Sequence, residues 1–265
     1  MILRSFGPML SGCLGMSEAY STLARFYDVS IGVDYEEWVR YLLAIGLRHY
    51  HLPGTICDLG CGTGNLTVPL ARRGYELTGV DRSSEMIEVA NAKAAACGEQ
   101  ISFFVEDLRD FYLPGEPFDT VISGCDVLNY LTTESDLRRA FDAVHSILCA
   151  GGLWLFDLNS AWKLKQVYGH ESYADLQDDF GYFWDNSYDD KTDICTMELT
   201  FFVRTTEGLY ERKRELHRQK LWTPRKIGEI ANASGFALCA CYDFLTVKPC
   251  SRASERWQFV LQKKV

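Results

Sequence analysis

The chain of 265 residues, 47% of them hydrophobic, is long enough for one α/β domain with an insertion, so one core is expected. Its formal charge of −9 argues against the broad basic surface that captures phosphate backbones, so nucleic acid is not the expected partner. No apolar run nears the roughly 20 residues of a membrane-spanning helix. Ten scattered cysteines without a C-x-x-C pair read as reduced thiols; together these features fit a soluble cytoplasmic protein with no membrane or metal site.

Residues 1–15 mix Arg4, Pro8 and several glycines without a signal-peptide core, and they read as a disordered extension. Met16-Ser17-Glu18 looks like a second start, with Ser17 as a helix cap. Over residues 16–52, apolar residues at helical spacing predict two helices broken near Gly32 and closed by Pro53-Gly54. A short buried strand over 55–59 then runs straight into Gly60-Cys61-Gly62-Thr63-Gly64. Helices are expected over 65–73, 84–97 and 134–148, alternating with strands over 77–80, 101–106, 120–123 and 153–157. This rhythm predicts a doubly wound, mostly parallel α/β sheet with right-handed crossovers.

The rhythm breaks after Asn159. Strand-like runs around 182–184, 197–204 and 210–219, separated by turn-rich stretches, predict an antiparallel meander. It reads as an insertion over about 160–221 after the fifth strand, inside one domain spanning 53–265. Arg212, Lys213, Arg214, Arg218 and Lys220 are interleaved with Glu211 and Glu215, which fits a solvated strand face. Thr223-Pro224 opens a helix to about Ser234, Gly235 ends it, and strands over 236–247 and 256–263 complete seven in the main sheet. Cys239 and Cys241 alternate in an apolar stretch and are expected to pack in the core.

A glycine-rich turn from a strand into a helix lets the backbone approach a ligand and aims free N–H groups at it. Asp58-x-Gly60-x-Gly62-x-Gly64 has that form, with a glycine spacing different from the G-x-G-x-x-G of dinucleotide-binding domains. Asp81, at the end of the next strand, stands where a carboxylate can accept both hydroxyls of a ribose. Together with Phe103-Phe104-Val105-Glu106-Asp107-Leu108 these residues resemble the class I S-adenosylmethionine-dependent methyltransferase family over about residues 50 to 160.

The resemblance implies a Rossmann-like fold and S-adenosylmethionine as cofactor, with S-adenosylhomocysteine as product. It implies donor contacts from Asp58, Gly60, Cys61, Gly62, Gly64, Asn65, Asp81, Arg82, Met86 and Glu106, and adenine contacts from Asp107 and Leu108. Ser123 and Cys125, after the fourth strand, fall where the family places the wall facing the methyl group. Tyr20 with Ala24-Arg25-Phe26-Tyr27-Asp28 and Tyr35-x-x-Trp38 look like the N-terminal lid of small-molecule members, sugar-amine N-methyltransferases among them. Tyr20 and Tyr27 would cover the methionine end of the donor, although the same spacing also fits core packing.

Methyl transfer to an aligned nucleophile needs positioning and desolvation more than covalent catalysis. Many relatives carry a histidine where this chain has Asn129, which can orient an acceptor but not take its proton. The remaining base candidates are Glu215 and His217, on one face of a strand in the insertion. Tyr130, Trp162, Tyr182, Trp184 and Trp222 are candidates for the acceptor pocket, with sheet packing as the competing role. The expected activity is methylation of a small molecule, with an amine slightly favoured over oxygen or carbon. A donor-binding protein that does not methylate, an RNA methyltransferase and a nicotinamide dehydrogenase are the alternatives, and a homodimer is left open.

Overall fold

A computed structural model of the chain describes residues 28, 33–49, 51, 53–115 and 117–265. Tyr20, Tyr27, the 1–15 segment and about half of the expected helical lid lie outside the described residues. The lid helix within them, α1 (Tyr35–Arg48), starts where Asp34 accepts a hydrogen bond from the Glu37 N–H at 2.9 Å. It buries Trp38, Val39, Leu42 and Ile45 against one face of the main sheet.

That sheet is built from β1 (Thr55–Leu59), β2 (Glu76–Asp81), β3 (Ser102–Val105), β4 (Phe118–Ser123), β5 (Leu148–Asn159), and two late strands, β10 (Phe236–Asp243) and β11 (Arg256–Lys263). Their order is β10-β11-β5-β4-β1-β2-β3. The five early strands are parallel, whereas β11 runs antiparallel to both β5 and β10. β1 pairs with β2 on one side and β4 on the other, so the order reverses there and a crevice opens at the carboxyl ends of β1 and β4. The Rossmann-like α/β expectation is met.

Helices α2 (Thr67–Ala71), α3 (Ser84–Cys97), α4 (Glu134–Ile147) and α5 (Pro224–Ala233) cover the sheet. Sequence spacing predicted α3 residue for residue, because Ser83 caps its start and Gly98, at φ +75°, ends it. The helix expected over 65–73 is shorter, since turns continue through residue 66 and carry the glycine loop further. α4 places Phe141 4.7 Å from Trp154 in the larger hydrophobic cluster, and truncating such a ring typically costs about 3–5 kcal/mol.

The insertion forms a second, four-stranded sheet: β6 (Ser172–Leu176), β7 (Phe180–Asp189), β8 (Ile194–Arg204) and β9 (Tyr210–Lys220), paired in that order and antiparallel throughout. Sequence reading misses β6 because all five of its residues are exposed, leaving no apolar alternation to see. It also misses the π-helical turn Lys163–Tyr168 that leaves β5. On β9 the inward residues are Glu215, His217 and Gln219, while Arg212, Lys213 and Arg218 face solvent as expected. The core expectation for Cys239 is corrected: it is exposed, and Cys241 is only half-buried, because their part of β10 lies at the sheet edge. No described helix is long and apolar enough to cross a membrane, and no metal-binding cluster occurs among the described residues.

Candidate active site

The loop after β1 is shaped by three left-handed glycines, Gly60, Gly62 and Gly64, at φ +78°, +54° and +78°. A Cβ on Gly60 would sit 2.2 Å from Val127 Cγ2, so close approach as well as conformation requires glycine. Two loop N–H groups, those of Gly60 and Cys61, donate to the Val80 carbonyl and tie the loop to β2. Beneath it Asp58 is buried, accepts the Thr67 hydroxyl at 2.6 Å, and has its carboxyl pushed up to about 7, mainly by burial. Buried Met86 lies under Gly62. Asn65 and Thr63 both donate to Asp28 at 2.7 Å, and Lys93 pairs with Asp28 at 2.8 Å, so a lid residue is anchored directly on the loop.

At the end of β2, Asp81 accepts the Gly62 N–H and the Ser83 N–H, both at 2.9 Å. Burial raises its carboxyl and these two bonds oppose that shift. The Glu106 N–H donates to the Asp81 carbonyl, which brings the end of β3 beside it. Asp107 is held by a two-pronged Arg109 contact that lowers its carboxyl, and the exposed Arg82 acts in the same direction. Leu108 packs half-buried against the larger core cluster. The glycine cradle and the half-buried Asp81 carboxylate fit the donor's methionine and ribose.

A narrow cleft runs along the loop, bounded by Tyr35, Gly60, Gly62 and Cys125. A much larger cavity of about 710 Å³ opens between the two sheets, and Cys125 lines both. Cys125 and Asp126 adopt left-handed conformations, at φ 59° and 52°, which few non-glycine residues take up. Ser123 is buried behind them, its hydroxyl accepting from the Trp154 indole at 3.2 Å.

Within the cavity Tyr130 Oη lies 3.0 Å from His217 Nδ1, and His217 Nε2 lies 3.1 Å from Glu215 Oε2. Glu215 is buried completely. A carboxylate accepts only, so its neighbour Nε2 carries the imidazole proton and Nδ1 accepts from the phenol. Tyr182 and Trp184 also line the cavity. Glu215 stands behind His217 and does not itself line the cavity, and three further expected residues do not line it either. Asn129 is fully buried behind the wall, donating to the Lys220 carbonyl and accepting the Asn159 N–H, both at 2.9 Å, so its amide ties the two sheets together. The expected acceptor contacts of Trp162 and Trp222 are likewise corrected: Trp162 is exposed away from the cavity, and Trp222 is buried with its indole donating to the Leu131 carbonyl.

The cavity also holds residues that sequence reasoning passed over. Arg256, the first residue of β11, pairs with Asp126 at 2.7 Å and with buried Asp157, and stacks over Trp38 and Phe244. Burial pushes the Asp157 carboxyl up to about 6 against the attraction of Arg256. Nothing local in Ser254-Glu255-Arg256 announces this role; only the pairing of β11 with β5 brings it to the site. Lys163 and Tyr168, from the π-helical turn, complete the same wall.

A family model described as a methyltransferase domain matches residues 56–152. A protein from Geobacillus sp. named for methyltransferase activity is 35% identical over 92% of this chain and 99% of its own. A solved S-adenosylmethionine-dependent methyltransferase from Clostridium acetobutylicum matches with a TM-score of 0.83 at 28% identity, over 93% of this chain and 99% of its own. The sugar N-methyltransferase KedS8 from Streptoalloteichus sp shares the fold, with a TM-score of 0.75 at 19% identity over 100% of this chain and 99% of its own. With its glycine loop, the acid at the end of β2 and the strand order in keeping, the chain belongs to the S-adenosylmethionine-dependent methyltransferases, and S-adenosylmethionine is its methyl donor.

Proposed function

We propose that the enzyme methylates a small molecule held in the cavity between its two sheets, at a nucleophile that must give up a proton, an amine before a hydroxyl or carbon. The observation that carries this reading is the meeting of the donor cleft with the large cavity at Cys125, beside the Tyr130–His217–Glu215 chain. A cavity of about 710 Å³ has the size of a small-ligand site, and the fold shared with a sugar N-methyltransferase supports an amine acceptor.

The bound donor supplies an electrophilic methyl group on a sulfonium. The left-handed turn at Cys125 and Asp126 shapes the passage between cleft and cavity. Tyr130 accepts the proton of the acceptor on its phenol oxygen while passing its own to His217 Nδ1, and Glu215 stabilises the imidazolium that results. The aromatic walls exclude water that would otherwise compete for the nucleophile.

The test is an acceptor screen in which release of S-adenosylhomocysteine is followed over small amines, alcohols and activated carbon acids. Turnover with amines supports the reading. Turnover only with RNA, or donor binding with no turnover on any small acceptor, counts against it.

A further inference from the structure

Resting on that reading, we infer that the acceptor carries an anionic group, a carboxylate or one of similar charge and size, and that Lys163 receives it. Lys163 is the first residue of the π-helical turn leaving β5, and its side chain lines the cavity. Its ammonium lies 5.5 Å from the centre of the Tyr168 ring. Among the described residues no carboxylate comes within ion-pairing distance of it and no acceptor lies within hydrogen-bonding distance of it. The neighbouring carboxylates, Asp126 and Asp157, are both taken by Arg256.

A lysine drawn into an aromatic-walled cavity without an anion is costly, and here burial and the nearby Arg256 both weaken its hold on a proton. The charges that face it are Arg256 on one side and Asp126, Asp157 and Glu255 on the other. None of the three acids closes on it, so an anion on the ligand can supply the missing contact. The cavity is then divided by function. Tyr130 and His217 take the proton-bearing end of the acceptor, Tyr182, Trp184 and Phe201 flank an apolar or ring-shaped middle, and Lys163 holds the charged end. Such an arrangement selects a small amphoteric molecule with a nucleophile and an anion set apart on a rigid frame.

The inference is tested by titrating para-(aminomethyl)benzoate and its carboxamide into protein saturated with S-adenosylhomocysteine. The carboxylate is expected to bind about tenfold more tightly than the carboxamide. Lys163→Met should abolish that difference, and Lys163→Arg should keep most of it, while the affinity for S-adenosylhomocysteine alone stays unchanged in both. Equal affinity of the two probes for the wild type, or binding of neither, overturns the inference. So does weakened S-adenosylhomocysteine binding in Lys163→Met, which would assign the lysine to the donor's own carboxylate. Failure of the wild type to bind S-adenosylhomocysteine would instead strike at the methyltransferase reading, so the two failures are told apart.

Discussion

Tyr130 Oη sits 3.0 Å from His217 Nδ1, and the far side of that imidazole rests on the completely buried carboxylate of Glu215. A tyrosine placed so can take a proton at one oxygen while losing its own. His217→Gln and Tyr130→Phe are each expected to lower kcat by roughly 10²–10⁴-fold, the usual range for general acid–base groups. Donor affinity should be unchanged, because neither residue bounds the glycine-loop cleft. Steady-state kinetics together with calorimetric donor titration would check both halves, and full kcat in His217→Gln would remove the imidazole from the reaction.

The ribose assignment of Asp81 makes a second prediction. Asp81→Asn loses a charged acceptor that also orients the Gly62 N–H, and should weaken S-adenosylhomocysteine binding by about 1–3 kcal/mol. Asp107→Asn should cost less, because the Asp107 carboxylate is already engaged by Arg109. Calorimetry on the two variants decides the ranking, and an equal or reversed order would contradict it.

Gly60 is expected to tolerate no side chain. In Gly60→Ala the new methyl meets Val127 at 2.2 Å and the backbone is held at φ +78°, two penalties that together should cost about 2–4 kcal/mol of stability. Adding Val127→Ala should relieve the clash and leave the conformational part. Chemical denaturation of the single and double variants measures each share.

These sites differ in how openly the sequence declares them. Strand β1, the glycine loop and Asp81 are legible because local chemistry dictates them: a buried apolar run, residues suited to positive φ, and an acid at a strand end. Glu215 and His217 are legible as a same-face pair, since alternation along a strand is local too. Arg256 and Lys163 are not. One is brought to the cavity by long-range pairing of β11 with β5, the other by a π-helical turn with no sequence signature. Asn129 misleads for the opposite reason, because a residue beside the site in sequence turns its amide toward the backbone of two strands behind the wall.

Asp58 predicts a pH dependence of stability. Burial raises its carboxyl from 3.8 to about 7, so the folded chain favours the neutral form. That contribution is complete below about pH 4 and is lost as pH rises through about 7, an effect on the order of a few kcal/mol. Asp58→Asn keeps a neutral partner for Thr67 at every pH. Its melting temperature should therefore gain on that of the wild type as pH rises across this window, and a difference independent of pH would show that Asp58 is ionised throughout.

In the proposed reaction a small acceptor is methylated in the cavity between the sheets. The most direct measurement offers methyl-labelled donor to the purified enzyme with a bacterial small-molecule extract and, separately, with total RNA, for the wild type and His217→Gln. Label is expected in a small molecule with the wild type and is expected to be lost in the variant. Label in RNA, or undiminished small-molecule labelling by His217→Gln, would contradict the proposed reaction.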